Sequence, residues 1–219
     1  MISKAKILLV GAGGLGSTIA LQLTQQGIGR LDIVDHDRVD TTNRSRQFYT
    51  ARDVGHYKAH ALPQRLRPFA TAPTIIRGYA STIQEATLDD DYDLIIAGVD
   101  NSQANIAAAA KGLRDQTPVV FVNVSKDGEA CRLFVQNPGG ACYACYRPTS
   151  LVPRPRAPCL PTPAIVDILH IATGLAVRAT TTLLLGTAIG EYNCRDLTMT
   201  GTDLTKTVQR RNECPLCHN

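Results

Sequence analysis

The segment Gly11-Ala12-Gly13-Gly14-Leu15-Gly16 constrains this chain more than any other stretch. It follows a short apolar run, Lys6–Val10, and precedes a helical face of Leu15, Ile19, Leu21 and Leu23 that Gly27 and Gly29 close. A strand therefore ends in a turn tight enough to need glycines, and a helix starts at once. Leu31–Val34 is the next strand, ending in Asp35-His36-Asp37, with Asp35 nineteen positions after Gly16. Strand, helix and strand in this order make the unit of a parallel sheet. Gly11, Gly13, Gly14 and Gly16 let backbone N–H groups approach a phosphate at a positive helix terminus, and Asp35 accepts hydrogen bonds from ribose hydroxyls. The plain alternative is a glycine-rich turn without a ligand, and it explains neither the helix nor the acid. A nicotinamide or flavin oxidoreductase uses the same loop, so the loop alone leaves the reaction open.

Further along, a helix is predicted around Lys58–Leu66, a short strand over Thr74–Arg77 and a fully buried strand over Asp93–Val99. A helix over Asn105–Leu113, a buried strand over Pro118–Val124 and an alternating strand over Cys131–Gln136, of the kind found at a sheet edge, come next. Six of the twelve prolines then fall between Pro148 and Pro163, so that residues 147–163 read as an extended crossing loop. Ala164–Gly190 is a long apolar helix, either buried or an oligomer interface. The fold class this implies is α/β: a Rossmann-like, mostly parallel sheet with flanking helices.

The polar residues after Asp35 narrow the chemistry. Asp37, Asn43, Arg46 and Lys58 offer acid, amide and two cations, which a triphosphate needs and a dinucleotide does not. Asp100 and Asn101 stand at the end of the Asp93–Val99 strand, where ligands bind in open parallel sheets. Taken singly, each reads better as a solvated loop residue, with Asp100 a helix cap. Cys142/Cys145 and Cys214/Cys217 are two Cys-x-x-Cys pairs, four soft ligands suited to a closed, structural Zn²⁺ site; a redox dithiol is the other reading.

In their order along the chain, from Lys6 to Cys217, these motifs resemble the HesA/MoeB/ThiF family, the bacterial relatives of ubiquitin-activating enzymes. The resemblance implies an adenylyltransferase that uses ATP and Mg²⁺ to adenylate the C-terminal glycine of a ubiquitin-like or sulfur-carrier protein. Asp35 would hold the ribose, Asn43, Arg46 and Lys58 the phosphates, and Asp100 would position Mg²⁺. Zn²⁺ would be held by Cys142, Cys145, Cys214 and Cys217, forming a knot that pins the chain end. Cys159 has two readings: a nucleophile that attacks the acyl-adenylate, or an incidental thiol. A conjugating enzyme or a sulfurtransferase would receive the product, and a homodimer through Ala164–Gly190 is expected. The resemblance also implies an N-terminal arginine reaching the partner subunit's ATP; with a strand starting at Lys6 that arginine is missing, and Arg44, where the family usually has an apolar residue, is a candidate substitute. Two other readings stay open: a non-catalytic or partner-dependent scaffold for a ubiquitin-fold protein, and an NAD- or FAD-dependent oxidoreductase.

Composition sets the remaining bounds. With 44% apolar and 19% charged residues the chain is globular rather than disordered. A net charge of +4 spread along the sequence demands no nucleic-acid face. Asp167, His170 and Arg178 interrupt the longest apolar stretch, so no membrane-spanning helix is expected. The glycines break what could pass for a signal-peptide core at Ile7–Val10, and a cytoplasmic location is expected. One adenylation domain over 1–219 is expected, without a rhodanese, ubiquitin-fold or separate cysteine domain. Cys131 and Cys194 read as buried small hydrophobes, and His36, His56, His60, His170 and His218 as loop, packing or bystander residues.

Overall fold

The computed structural model describes residues 2–152, 166–187 and 190–218. β1 (Lys6–Val10), β2 (Arg30–Val34), β4 (Leu94–Ala97) and β5 (Val119–Val124) are short, largely apolar and largely buried on both faces, as central strands of a parallel sheet are, with β2 also burying the Arg30–Asp32 ion pair. With β3 (Ile75–Tyr79), β6 (Ala130–Gln136), β7 (Cys194–Thr198) and β8 (Asp203–Lys206) they form one sheet in the order β3-β2-β1-β4-β5-β6-β7-β8. The first five strands in that order run parallel, and β6, β7 and β8 join antiparallel.

Successive residues of each strand feed opposite faces. Ile7 and Leu9 pack with α1 (Gly14–Gln25), α2 (Lys58–Leu66) and α5 (Val166–Leu184), whereas Leu8 and Val10 pack with α3 (Ser102–Arg114) and the short α4 (Tyr143–Tyr146). The chain leaves β1 toward β2 and β3 on one side, then crosses back to place β4 on the other. That reversal opens a crevice above the C-terminal ends of β1 and β4, where open α/β sheets bind ligands.

Three expectations are corrected. Cys131–Gln136 lies inside the sheet, paired with β5 on one side and β7 on the other. It reads as an edge because its second partner, β7, is too polar to announce itself in the sequence. The proline-rich stretch begins with a single 3₁₀ turn, Pro148–Leu151, since proline is tolerated in a first helical turn; residues 153–165, with Cys159, lie outside the described residues. α5 buries one face (Ile168, Leu169, Ala172, Ala176) and exposes Ile171 and Arg178 on the other, and it ends at Leu184 rather than Gly190. No described helix is long and apolar enough to cross a membrane.

Candidate functional site

The glycine loop takes its shape from two close approaches. Gly11 has φ +95°, a left-handed conformation that side chains resist. A Cβ on Gly16 would lie 1.9 Å from the Gly11 carbonyl oxygen, so α1 can start beneath the loop only with glycine there. Gly16 therefore shapes the loop from behind, while Gly11, Gly13 and Gly14 line the cavity above it. The Asp35 carboxylate ties the loop to β2, accepting from the Ala12 N–H at 2.7 Å and the Asp37 N–H at 2.7 Å. Tyr49, buried, donates its hydroxyl to the Ala12 carbonyl at 2.8 Å. Burial pushes the Asp35 carboxyl above its usual value, and the Lys58 charge and the two N–H donors oppose that rise.

The cavity over this loop measures about 670 Å³, within the range of roughly 300–1,000 Å³ typical of small-molecule sites. It gathers Asp35, Asp37, Asn43, Arg46, Lys58, Asp100 and Asn101 around the three glycines, although these residues come from five separate stretches of chain. Lys58, buried at the first position of α2, holds Asp37 through an ion pair of 3.0 Å. The Arg46 guanidinium reaches the Thr42 carbonyl at 3.4 Å, and the Asn43 side-chain oxygen accepts from Gln47 at 3.1 Å. Asn101, not Asp100, caps α3, its side chain accepting from the Gln103 N–H at 2.8 Å.

Several lining residues carry no motif and were not foreseen: Thr82 and Glu85 after β3, Asn123 on β5, and Leu169 on α5. A Cβ on Gly14 would stand 3.2 Å from Leu169, so α5 walls the loop directly. Only the polar Asn123, interrupting the otherwise apolar run of β5, left a signal that sequence reasoning could have used.

A second centre lies on the opposite helical layer. The sulfurs of Cys142, Cys145, Cys214 and Cys217 all fall within 4.8 Å of one another. Cys142 Sγ is 3.5 Å from Cys214 Sγ and 3.8 Å from Cys145 Sγ, and Cys145 Sγ is 3.6 Å from Cys217 Sγ. A tetrahedron of thiolates about 2.3 Å from Zn²⁺ has edges of about 3.8 Å, so the four residues fit such an ion. The Arg211 N–H donates to Cys145 Sγ at 3.4 Å, supporting a ligand orientation from outside the cluster. His218 stands apart from the four, and Cys131 and Cys194 are buried elsewhere, as expected.

A model described as the ThiF family matches residues 1–217. The adenylyltransferase and sulfurtransferase uba4 of Emericella nidulans is 33% identical over 155 residues, 66% of this chain and 32% of that protein. The sulfur carrier protein adenylyltransferase of Thermus thermophilus is 28% identical over 231 residues, 99% of this chain and 83% of that protein. The aligned part of this chain thus spans about a third of the length of the uba4 relatives. Among solved structures, E. coli MccB with ATP superposes with a TM-score of 0.78 at 17% identity, covering 99% of this chain and 68% of that one. MccB with succinimide gives 0.82 at 18% identity, covering 100% and 67%. At that identity the structural likeness speaks for the fold.

Proposed function

Because the chain belongs to the ThiF family, we propose that it uses ATP to adenylate the C-terminal glycine of a ubiquitin-like or sulfur-carrier protein, releasing pyrophosphate. The observation that carries this reading is the single cavity in which the glycine loop, Asp35, Arg46, Lys58 and Asp100 meet. Both the uba4 relatives and the Thermus relative are named adenylyltransferases, which supports the same reading.

In this reading Asp35 accepts from the ribose, and the N-terminus of α1 with Gly13 and Gly14 faces the phosphates. Asn43, Arg46 and Lys58 hold the departing pyrophosphate, with Lys58 turning from Asp37 toward it. Mg²⁺ would supply further neutralisation of phosphate charge, and Asp100 is the residue to hold it. The terminal carboxylate is already ionised near pH 7, so its oxygen attacks the α-phosphorus without a general base. The work of the protein is alignment of two anions and relief of their repulsion. That division of labour agrees with a cavity rich in donors and poor in buried histidine.

The remaining assignments belong to the same proposal. Residues 1–219 form one cytoplasmic adenylation unit with a structural Zn²⁺ in the four-cysteine cluster. It pairs as a homodimer through the exposed side of α5, where Val166 and Ile171 are uncovered; light scattering at the mass of one chain would exclude that. The acyl group passes to Cys159, to a conjugating enzyme or to a sulfurtransferase. A thiol-sensitive adduct that survives Cys159→Ala would remove the cysteine from that route.

The decisive measurement is ATP–pyrophosphate exchange with and without a ubiquitin-fold protein ending in Gly-Gly. Exchange that requires the carrier is expected. A carrier that binds while exchange stays at background would replace the enzyme with a scaffold.

A further inference from the structure

β5 reads Val119-Val120-Phe121-Val122-Asn123-Val124, five apolar residues and one amide. Val119 and Phe121 pack on the α3 side of the sheet, Val120 and Val122 on the α1 and α5 side. Asn123 thus continues the row of Val119 and Phe121 beyond the core and into the cavity. It is half-buried, and its side chain makes no hydrogen bond to another described residue.

Its height and lateral position follow from register. Val34, Val10, Ala97 and Phe121 stand side by side across β2, β1, β4 and β5. Asn123 lies two residues above that row, about 7 Å, and three strand spacings from β2, about 14 Å. Lys58 starts α2 and pairs with Asp37 just beyond β2, the Arg46 backbone lies over Gly14 at the start of α1, and Asn123 enters from the α3 face of β5. Displacement at the α-phosphorus puts the attacking and leaving oxygens roughly in line, on opposite sides of phosphorus. With pyrophosphate leaving toward Arg46 and Lys58, the attacking carboxylate must stand on the side of Asn123.

We infer that Asn123 is a substrate-binding residue for the acyl donor: its Nδ2 amide donates to the carboxylate oxygen that does not attack. The inference rests on the adenylation reading given above. The attacking oxygen bonds to the α-phosphorus as the bond to the bridging oxygen of the β-phosphate breaks. The electron pair leaves on pyrophosphate, and no proton moves. A neutral amide suits this place, because it aligns the anion without blunting its nucleophilicity as a cation would. An acid at the same position would repel it.

Glycyl sulfamoyl adenosine, which keeps the acyl carbonyl, and AMP, which lacks it, are the probes. Titration calorimetry on the unsubstituted protein should show tighter binding of the glycyl compound. Asn123→Ala should lose about tenfold in affinity for that compound while AMP binding is unchanged, and Asn123→Asp should lose more. Unchanged binding of both probes by Asn123→Ala overturns the inference, as does an equal loss of both, which would mark a merely structural role. If the unsubstituted protein binds AMP as tightly as the glycyl compound, the adenylation reading itself fails at its acyl end.

Discussion

Asp35 carries two duties that pull against each other. It braces the glycine loop through the Ala12 and Asp37 N–H groups, and in the proposed function it would also accept from a ribose. Burial raises its pKa, so the folded protein holds that proton more firmly than the unfolded chain does. The ionised carboxylate therefore costs stability at neutral pH, and the cost vanishes as pH falls through the window between the ordinary value and the raised one. Nucleotide binding should run the opposite way. Affinity for AMP is expected to fall on acidification, starting above the ordinary carboxylate pKa of about 3.9, and Asp35→Asn should flatten that profile. A variant that keeps the same inflection would assign the titration elsewhere. At this scale the glycines, Asp35, Arg46 and Lys58 could be singled out as a group by residue type and local spacing, and Gly11, Gly13, Gly14 and the three polar residues do line one cavity. Thr82, Glu85 and Leu169 were not, since only the fold brings such ordinary residues to the cavity.

Among the elements, α2 and β3 approach each other closely at one glycine. Pro63 sits inside α2 and has no N–H to offer the Ala59 carbonyl one turn back. That carbonyl faces Gly78 of β3, where an added Cβ would lie 1.7 Å from its oxygen. Helix and strand thus meet through backbone. Gly78→Ala is expected to cost about 1–3 kcal/mol through forced separation of the two elements, seen as a melting temperature lowered by several degrees. A melting temperature unchanged in a properly folded variant would show that α2 has slack. β1, β4 and β5 were readable because burial on both faces leaves nearly continuous apolar runs, as in Leu94–Ala97. β7 and β8 hid, because beyond the buried Cys194 their residues are half or fully exposed and pair through charges such as Lys206 with Asp196 at 3.0 Å. Missing them turned β6 into an apparent edge.

For the whole molecule, the four cysteines decide how the end of the chain is held. Residues 207–218 contain no described helix or strand, yet Cys214 and Cys217 are buried against Cys142 and Cys145. An ion bound by the folded form alone adds its binding free energy to stability. The purified protein is expected to carry one Zn²⁺ per chain by elemental analysis. Chelation should lower its melting temperature and open the last residues to proteolysis, and Cys214→Ser should reproduce both effects. Four freely titrating thiols with no metal, and melting indifferent to chelator, would refute the metal assignment.

Cys142 and Cys214 are 72 positions apart, and the proposed Zn²⁺, by holding both, would turn the intervening chain into a ring. β7, β8 and α5 all belong to that ring. A backbone cut anywhere between Cys145 and Cys214 would then leave two fragments in one particle, separable only when the cluster is dismantled. The ring also limits how far this half of the chain can expand on unfolding, which favours refolding after partial opening. Severed chains that stay associated until a chelator is added are what such a molecule should give.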